Sequence, residues 1–161
     1  MDTPNPADFG HEQAWLEPLL RERIPLAETM DLRVSRLDAS GIRLEFPLAP
    51  SVNDKGTAFG GALASAMILA GWSLPRLLLA REQMTADLVI GRCELQFLSP
   101  VHGPYTAFCA WPEAAALDAF IADTRERGKG RLDLAAEIRV NDQTAATLKA
   151  RYAALQSRTT Q

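Results

Sequence analysis

Histidine and cysteine are both scarce in this chain, at two residues each in 161. Cys93 and Cys109 are too few to staple a small secreted scaffold, so a reducing, cytoplasmic compartment is expected. Both sit within strand-like patterns, where a small buried side chain is the default role. His11 and His102 stand near no serine or cysteine in an arrangement that supplies a base and a group to orient it, which argues against a familiar Ser/His or Cys/His nucleophile. No grouping of His, Cys, Asp and Glu has ligand spacing, so no metal is expected. A basic surplus is missing too: 17 Lys and Arg face 20 Asp and Glu, a net charge of −3. That balance offers neither nucleic acid nor an anionic membrane surface the cationic face it needs.

Residues 1–10 carry no basic region followed by an apolar run and read as a loose leader, not a secretory signal. Charge is absent from Gly56 to Pro75, a run that matches the roughly 20 residues of a bilayer span. Gly56, Gly60, Gly61 and Gly71, the polar Thr57, Ser65 and Ser73, and alternating strands on both sides favour a buried helix of a folded domain. No membrane is expected.

Against these absences, apolar residues make up 47% of the chain and charged residues 23%, the composition of one folded domain of common size. The expected division is a leader and short helix over 1–23, a folded domain over 24–156 and a tail over 157–161. Trp15, Leu16, Leu19, Leu20 and Arg23 are spaced for a short amphipathic helix that Pro25 stops, and Pro18 suits it only in the first turn. Strands follow over 32–37 and 42–48, with Gly41 at their turn. The uncharged run continues as a helix through Leu74, where Pro75 limits or kinks it before one more turn. Period two returns with Cys93, Leu95 and Phe97 opposed to Arg92, Glu94 and Gln96, and then with Tyr105 to Trp111. Leu117, Phe120 and Ile121 mark a small amphipathic helix. Leu132 to Val140 and Ala146 to Tyr152 alternate around Asn141-Asp142, which suits a hairpin turn.

Runs of strands without strand-helix-strand alternation predict an α+β fold with an antiparallel sheet covering the apolar helix. One sheet face cannot cover a helix that is apolar all round, which predicts a homodimer.

One constellation stands out: Asn53-Asp54-Lys55-Gly56-Thr57-Ala58-Phe59-Gly60-Gly61 at the head of that helix. Glycines at a loop-to-helix junction admit close approach, and the first helical amides have no intrahelical partner, so together they suit developing negative charge. The Asn53 carboxamide would be a further donor. The residues leave a second reading open, in which the glycines permit a tight turn and Asn53 caps it.

The stretch from Asn53 to Gly61, with Ile24-Pro25-Leu26, Met30, Pro47-Leu48, Ala70-Gly71-Trp72 and Leu98-Ser99-Pro100-Val101, resembles a bacterial thioesterase family of the hotdog superfamily. That family occurs alone and fused behind an N-acetyltransferase domain, for which 161 residues leave no room. The resemblance implies a hotdog fold, with an antiparallel sheet wrapped around a central helix and a homodimer that builds pantetheine tunnels between subunits. Pairing of dimers into tetramers stays open. Coenzyme A or phosphopantetheine would enter as part of the substrate, with no separate cofactor.

The chain departs from ordinary hotdog thioesterases, which resemblance would give a His before the paired glycines and an acid on the helix to activate water. Here Phe59 precedes the pair, and Ile68 stands where the acid commonly falls. Hydrolysis without a base forgoes roughly a hundredfold or more. Decarboxylation of a malonyl thioester needs donors on the thioester oxygen and an apolar surround, with no activated water. Relatives of this family have been assigned as malonyl-acyl-carrier-protein decarboxylases that supply acetyl groups for fatty-acid initiation. The expectation is therefore decarboxylation of malonyl-acyl carrier protein. Asn53 and the Gly61 amide would hold the oxyanion, Thr57 and Ser65 would orient the carboxylate or loop, and Phe59 would exclude water beside Gly60. The competing readings are an acyl thioesterase drawing on Asp54, Asp87 or Glu94, and a non-catalytic acyl-binding module. Arg76, Arg81 and Arg125 are candidate contacts for an acidic carrier protein.

Overall fold

The structure is a computed structural model in which residues 8–157 are described. Residues 1–7 and 158–161, most of the expected leader and tail, lie outside the described residues. Helix α1 (Phe9–Arg23) begins within the expected leader, because the Asp8 carboxylate accepts a hydrogen bond from the His11 amide at 3.1 Å and caps it. Pro18 sits in mid-helix, not in the first turn. Pro18 and Ala14 are both exposed, so the Ala14 carbonyl that loses its i+4 donor can turn to water. Pro25 stops α1 by opening a new helix, α2 (Pro25–Thr29), with its missing N–H at a position that needs none.

Strands β1 (Arg33–Asp38) and β2 (Gly41–Phe46) form a hairpin, and a single 3₁₀ turn over Ala49–Ser51 leads toward the long helix α3 (Gly60–Arg81). Then come β3 (Asp87–Phe97), β4 (Tyr105–Ala110), helix α4 (Ala114–Arg127), β5 (Lys129–Val140) and β6 (Gln143–Leu155). The six strands make one sheet in the order β1-β2-β4-β5-β6-β3, antiparallel throughout. The β5–β6 hairpin turns at Asn141 and Asp142, both with positive φ (48° and 65°), the conformation of a two-residue hairpin loop.

Helix α3 packs against β2, β3, β4, β5 and β6, which places the uncharged run inside the domain. It is long and apolar enough to cross a membrane, yet 67% of its most apolar window is buried within the fold. Pro75 does not end it. The helix continues to Arg81 because Leu77 and Leu79 beyond the expected break are fully buried and held by the core. Gly71 admits the Tyr152 side chain of β6: a Cβ there would lie 2.5 Å from the Tyr152 hydroxyl, which donates to the Ile68 carbonyl at 2.8 Å.

Two expectations about β3 need correction. Its alternation reads as half-buried, but both faces of the strand are largely exposed, because β3 ends the sheet beyond β6 where little of α3 reaches it, whereas β1 at the opposite end is covered by α1. Cys93, expected buried, is exposed for the same reason, whereas Cys109 on β4 is buried.

Candidate active site

The loop from Asn53 to Thr57 closes on itself. Asn53 N–H donates to the Thr57 carbonyl at 2.8 Å, and Gly56, at φ 76°, returns its N–H to the Asn53 carbonyl at 3.2 Å. The Asn53 carboxamide ties the same loop: Oδ1 accepts from the amides of Lys55 (2.9 Å) and Thr57 (3.1 Å), and Nδ2 donates to Thr57 Oγ1 at 2.8 Å. Capping therefore uses Oδ1 and one of the two Nδ2 protons, and the second has no partner among the described residues. Thr57 Oγ1, acting as acceptor, keeps its own proton. Asp54 and Lys55 project from the tip, 84% and 77% exposed, and pair with each other.

The chain is then anchored by Ala58 N–H to the Val101 carbonyl at 2.9 Å and by Phe59 N–H to the Ser51 carbonyl at 2.7 Å. Phe59 is the N-cap of α3, and its carbonyl receives the amides of Ala62 and Leu63. The Gly60 and Gly61 amides precede the first intrahelical bond and have no partner among the described residues. The Phe59 ring is folded over Gly61, so close that a Cβ there would meet it at 2.4 Å.

A cavity of about 410 Å³ opens beside this helix start. Phe59, Gly61 and Ser65 line it, with Leu26 and Met30 from the α2 region and Val52 from the loop. Asn53, Thr57 and Gly60 are not among its lining residues; the first two shape the loop that positions Val52 and Phe59, and Gly60 lies against the Phe97 ring. Ser65 donates its hydroxyl proton to the Gly61 carbonyl at 2.8 Å, which leaves its lone pairs facing outward as acceptors.

Sequence reasoning missed the hydroxyl pair behind this cavity. Ser51 lines it and hydrogen-bonds the Tyr105 hydroxyl at 2.8 Å, with both side chains buried and the Tyr105 ring stacked on Phe46. Burial pushes the Tyr105 phenol up, opposed in part by the Ser51 hydrogen bond, so it stays a neutral hydroxyl. Ser51 follows a proline in a short polar stretch and Tyr105 opens a strand 54 residues later, a pairing that only the fold makes.

The cavity lining holds neither a carboxylate nor a histidine. Ile68, in the position of the usual helix acid, is half-buried, and its carbonyl is taken by Tyr152. Asp87 and Glu94 lie exposed on the edge strand, away from the cavity lining. Cys109 is no nucleophile: burial pushes its thiol up to about 12. Among the described residues no group of three or more His, Cys, Asp and Glu is placed to hold a metal.

One apolar helix wrapped by a single antiparallel sheet is the architecture of the hotdog fold. Residues 13–156 match the model of the family described as "Putative thioesterase (yiiD_Cterm)", and the chain belongs to that family. Solved structures show the same fold. A protein of unknown function from Chlorobaculum tepidum matches with a TM-score of 0.87 at 26% identity, over 94% of this chain and 98% of that one. A protein from Shewanella oneidensis described as a putative thioesterase gives 0.78 at 21% identity, over 91% and 99%. A thioesterase from Haemophilus influenzae gives 0.66 at 13% identity, over 88% and 90%.

Proposed function

We propose that the protein decarboxylates a malonyl thioester carried on acyl carrier protein or coenzyme A, leaving the thioester intact. The observation that carries this reading is the combination, at one cavity, of the unpaired Gly61 amide with a lining that holds neither a carboxylate nor a histidine. The thioester oxygen would sit at the Gly61 amide that lines the cavity, with the adjoining Gly60 amide and the spare Nδ2 proton of Asn53, both outside the lining, as further donors from the loop side. The bond from the α-carbon to the carboxylate breaks, its electron pair enters the enolate held by those donors, carbon dioxide leaves, and the α-carbon takes a proton from solvent. Only the charged enolate benefits fully from the donors, which is the condition for faster turnover. Phe59 and the apolar wall would keep the departing carboxylate in a poorly hydrated surround.

Thioester hydrolysis is the second reading, supported by the description of the family and by the exposed acids Asp87 and Glu94, which a second copy paired along β3 could receive. A homodimer belongs to both readings. Val89, Ile90, Phe97 and Leu98 on or beside β3, and Phe59 at the cavity, are large apolar side chains left exposed in one copy. The protein is expected to work in the cytoplasm with no metal or separate cofactor.

The test is to incubate the purified protein with malonyl and longer acyl thioesters of both carriers and follow intact thioester and free thiol by mass spectrometry. Acetyl thioester formed from malonyl thioester without free thiol is the expected result. Free thiol and malonate would replace this reading with hydrolysis, and no product from any substrate would leave an acyl-binding module.

A further inference from the structure

At the far end of α3 from Gly61, about 22 Å along the axis by helical rise, lies a second cavity of about 420 Å³. Trp15, Leu19 and Met84 supply its apolar lining, Gln83 and Thr85 neutral polar groups, and Arg23 and Arg76 two cations. No acidic residue lines it. Arg81 and Arg125, the neighbouring arginines, are already matched: Arg81 forks onto the fully buried Glu12 with two 2.8 Å bonds, and Arg125 meets Glu82 at 2.8 Å. Arg23 and Arg76 have no carboxylate and no hydrogen-bond acceptor among the described residues. The Arg76 guanidinium is half-buried, 5.4 Å above the Trp15 ring, and its charge is disfavoured by burial and then by the neighbouring charge of Arg23.

Stacking on Trp15 uses one face of the Arg76 guanidinium and none of its N–H donors. A favourable position at the C-terminal end of α1 accounts for Arg23 alone. Two like charges at one cavity, with no acceptor from the described residues and one of them half-buried, repel each other, and an anion between them would remove that repulsion. Two planar forks favour a ligand with several oxygens and more than one negative charge over a single carboxylate. The remaining volume and the apolar wall leave room for an organic body attached to it.

We propose that Arg23, Arg76 and Trp15 form a binding site for a phosphoryl group borne on a small organic molecule, separate from the cavity at Gly61. The probe is inorganic pyrophosphate, titrated into the full-length protein by calorimetry and by thermal unfolding. Saturable binding that raises the melting temperature is expected. Arg76→Gln and Arg23→Gln should each weaken it at least tenfold. Arg23 is exposed at the end of α1, so its variant keeps the test informative if Arg76→Gln fails to fold. Without pyrophosphate, Arg76→Gln should melt no lower than the parent, because it removes a half-buried unpaired charge. Competition by coenzyme A would assign the phosphoryl group to the substrate's carrier, whereas independent binding of both would assign it to an effector; either is consistent with the site. No saturable binding of pyrophosphate by the parent, or an affinity unchanged from the parent's in the Arg23→Gln variant, would overturn it.

Discussion

Asn53 shows how much one side chain of this site has to do. Its Oδ1 holds the loop, and the proposed chemistry needs its remaining Nδ2 proton. Asn53→Asp separates these roles, because the carboxylate can still accept from both amides and take a proton from Thr57, but it donates nothing. Turnover of malonyl thioester should fall about a hundredfold, the scale of losing one oxyanion donor, with an unchanged melting temperature. Turnover near the parent's would leave Asn53 as a loop cap alone. The two glycines of α3 with close neighbours behave differently. At Gly61 the obstacle is the exposed Phe59 ring, which can swing away, whereas at Gly71 it is the fully buried Tyr152. Gly71→Ala should therefore destabilise by about 1–3 kcal/mol as an overpacked core contact, measured by denaturant unfolding. Gly61→Ala should leave stability nearly intact and lower activity.

Among the elements, α1 is fixed to α3 by the Glu12–Arg81 pair, with the Arg81 guanidinium also facing the rings of Phe9 and Trp111. Removing the carboxylate leaves Arg81 unmatched at a mostly buried position, so Glu12→Ala should cost about 3 kcal/mol or more in urea unfolding. A loss below about 0.5 kcal/mol would place this pair with ordinary surface ion pairs. Strand β3 makes a second prediction. Val89→Lys on this exposed edge should shift the mass measured by light scattering from two copies of 17.6 kDa to one, and a parent that is already monomeric would end the dimer proposal.

The elements also mark what the sequence could reveal. The β5–β6 hairpin and the apolar helix were legible because alternation and composition repeat over many residues. The start of α1 was hidden by Pro18 and by a polar first turn, and α2 was missed because Pro25 looks the same as a stop and as a first helical residue. The exposure of β3 could not be read at all, since its alternation is that of a covered strand and strand order is set by distant pairings. At the site, the loop and its glycines were legible from local composition. Leu26, Met30, Ser51 and Tyr105 were not, because three separate segments converge there only after folding.

For the whole molecule, the carboxylates of Glu28, Asp38 and Asp133 set a direction for the pH dependence of stability. Their hydrogen bonds, from Arg21, Ser40 and Arg151 respectively, hold all three below the ordinary carboxylate range. Groups depressed in this way contribute stability above their unfolded pKa values of about 4 and lose it as pH falls through the folded ones. The melting temperature should therefore change little from about pH 7 to 5 and decline below about 4. A profile flat to about pH 2 would contradict these assignments.

The central claim is that this hotdog domain stabilises an enolate and does not activate water. The direct measurement is turnover of malonyl thioester in D₂O, with the intact product weighed by mass spectrometry beside the same reaction for Asn53→Asp. An acetyl thioester carrying one solvent deuterium is expected, formed without free thiol and far more slowly by the variant. Release of free thiol and malonate would contradict it, and would direct attention to Asp87 and Glu94 of a second copy as the source of the base.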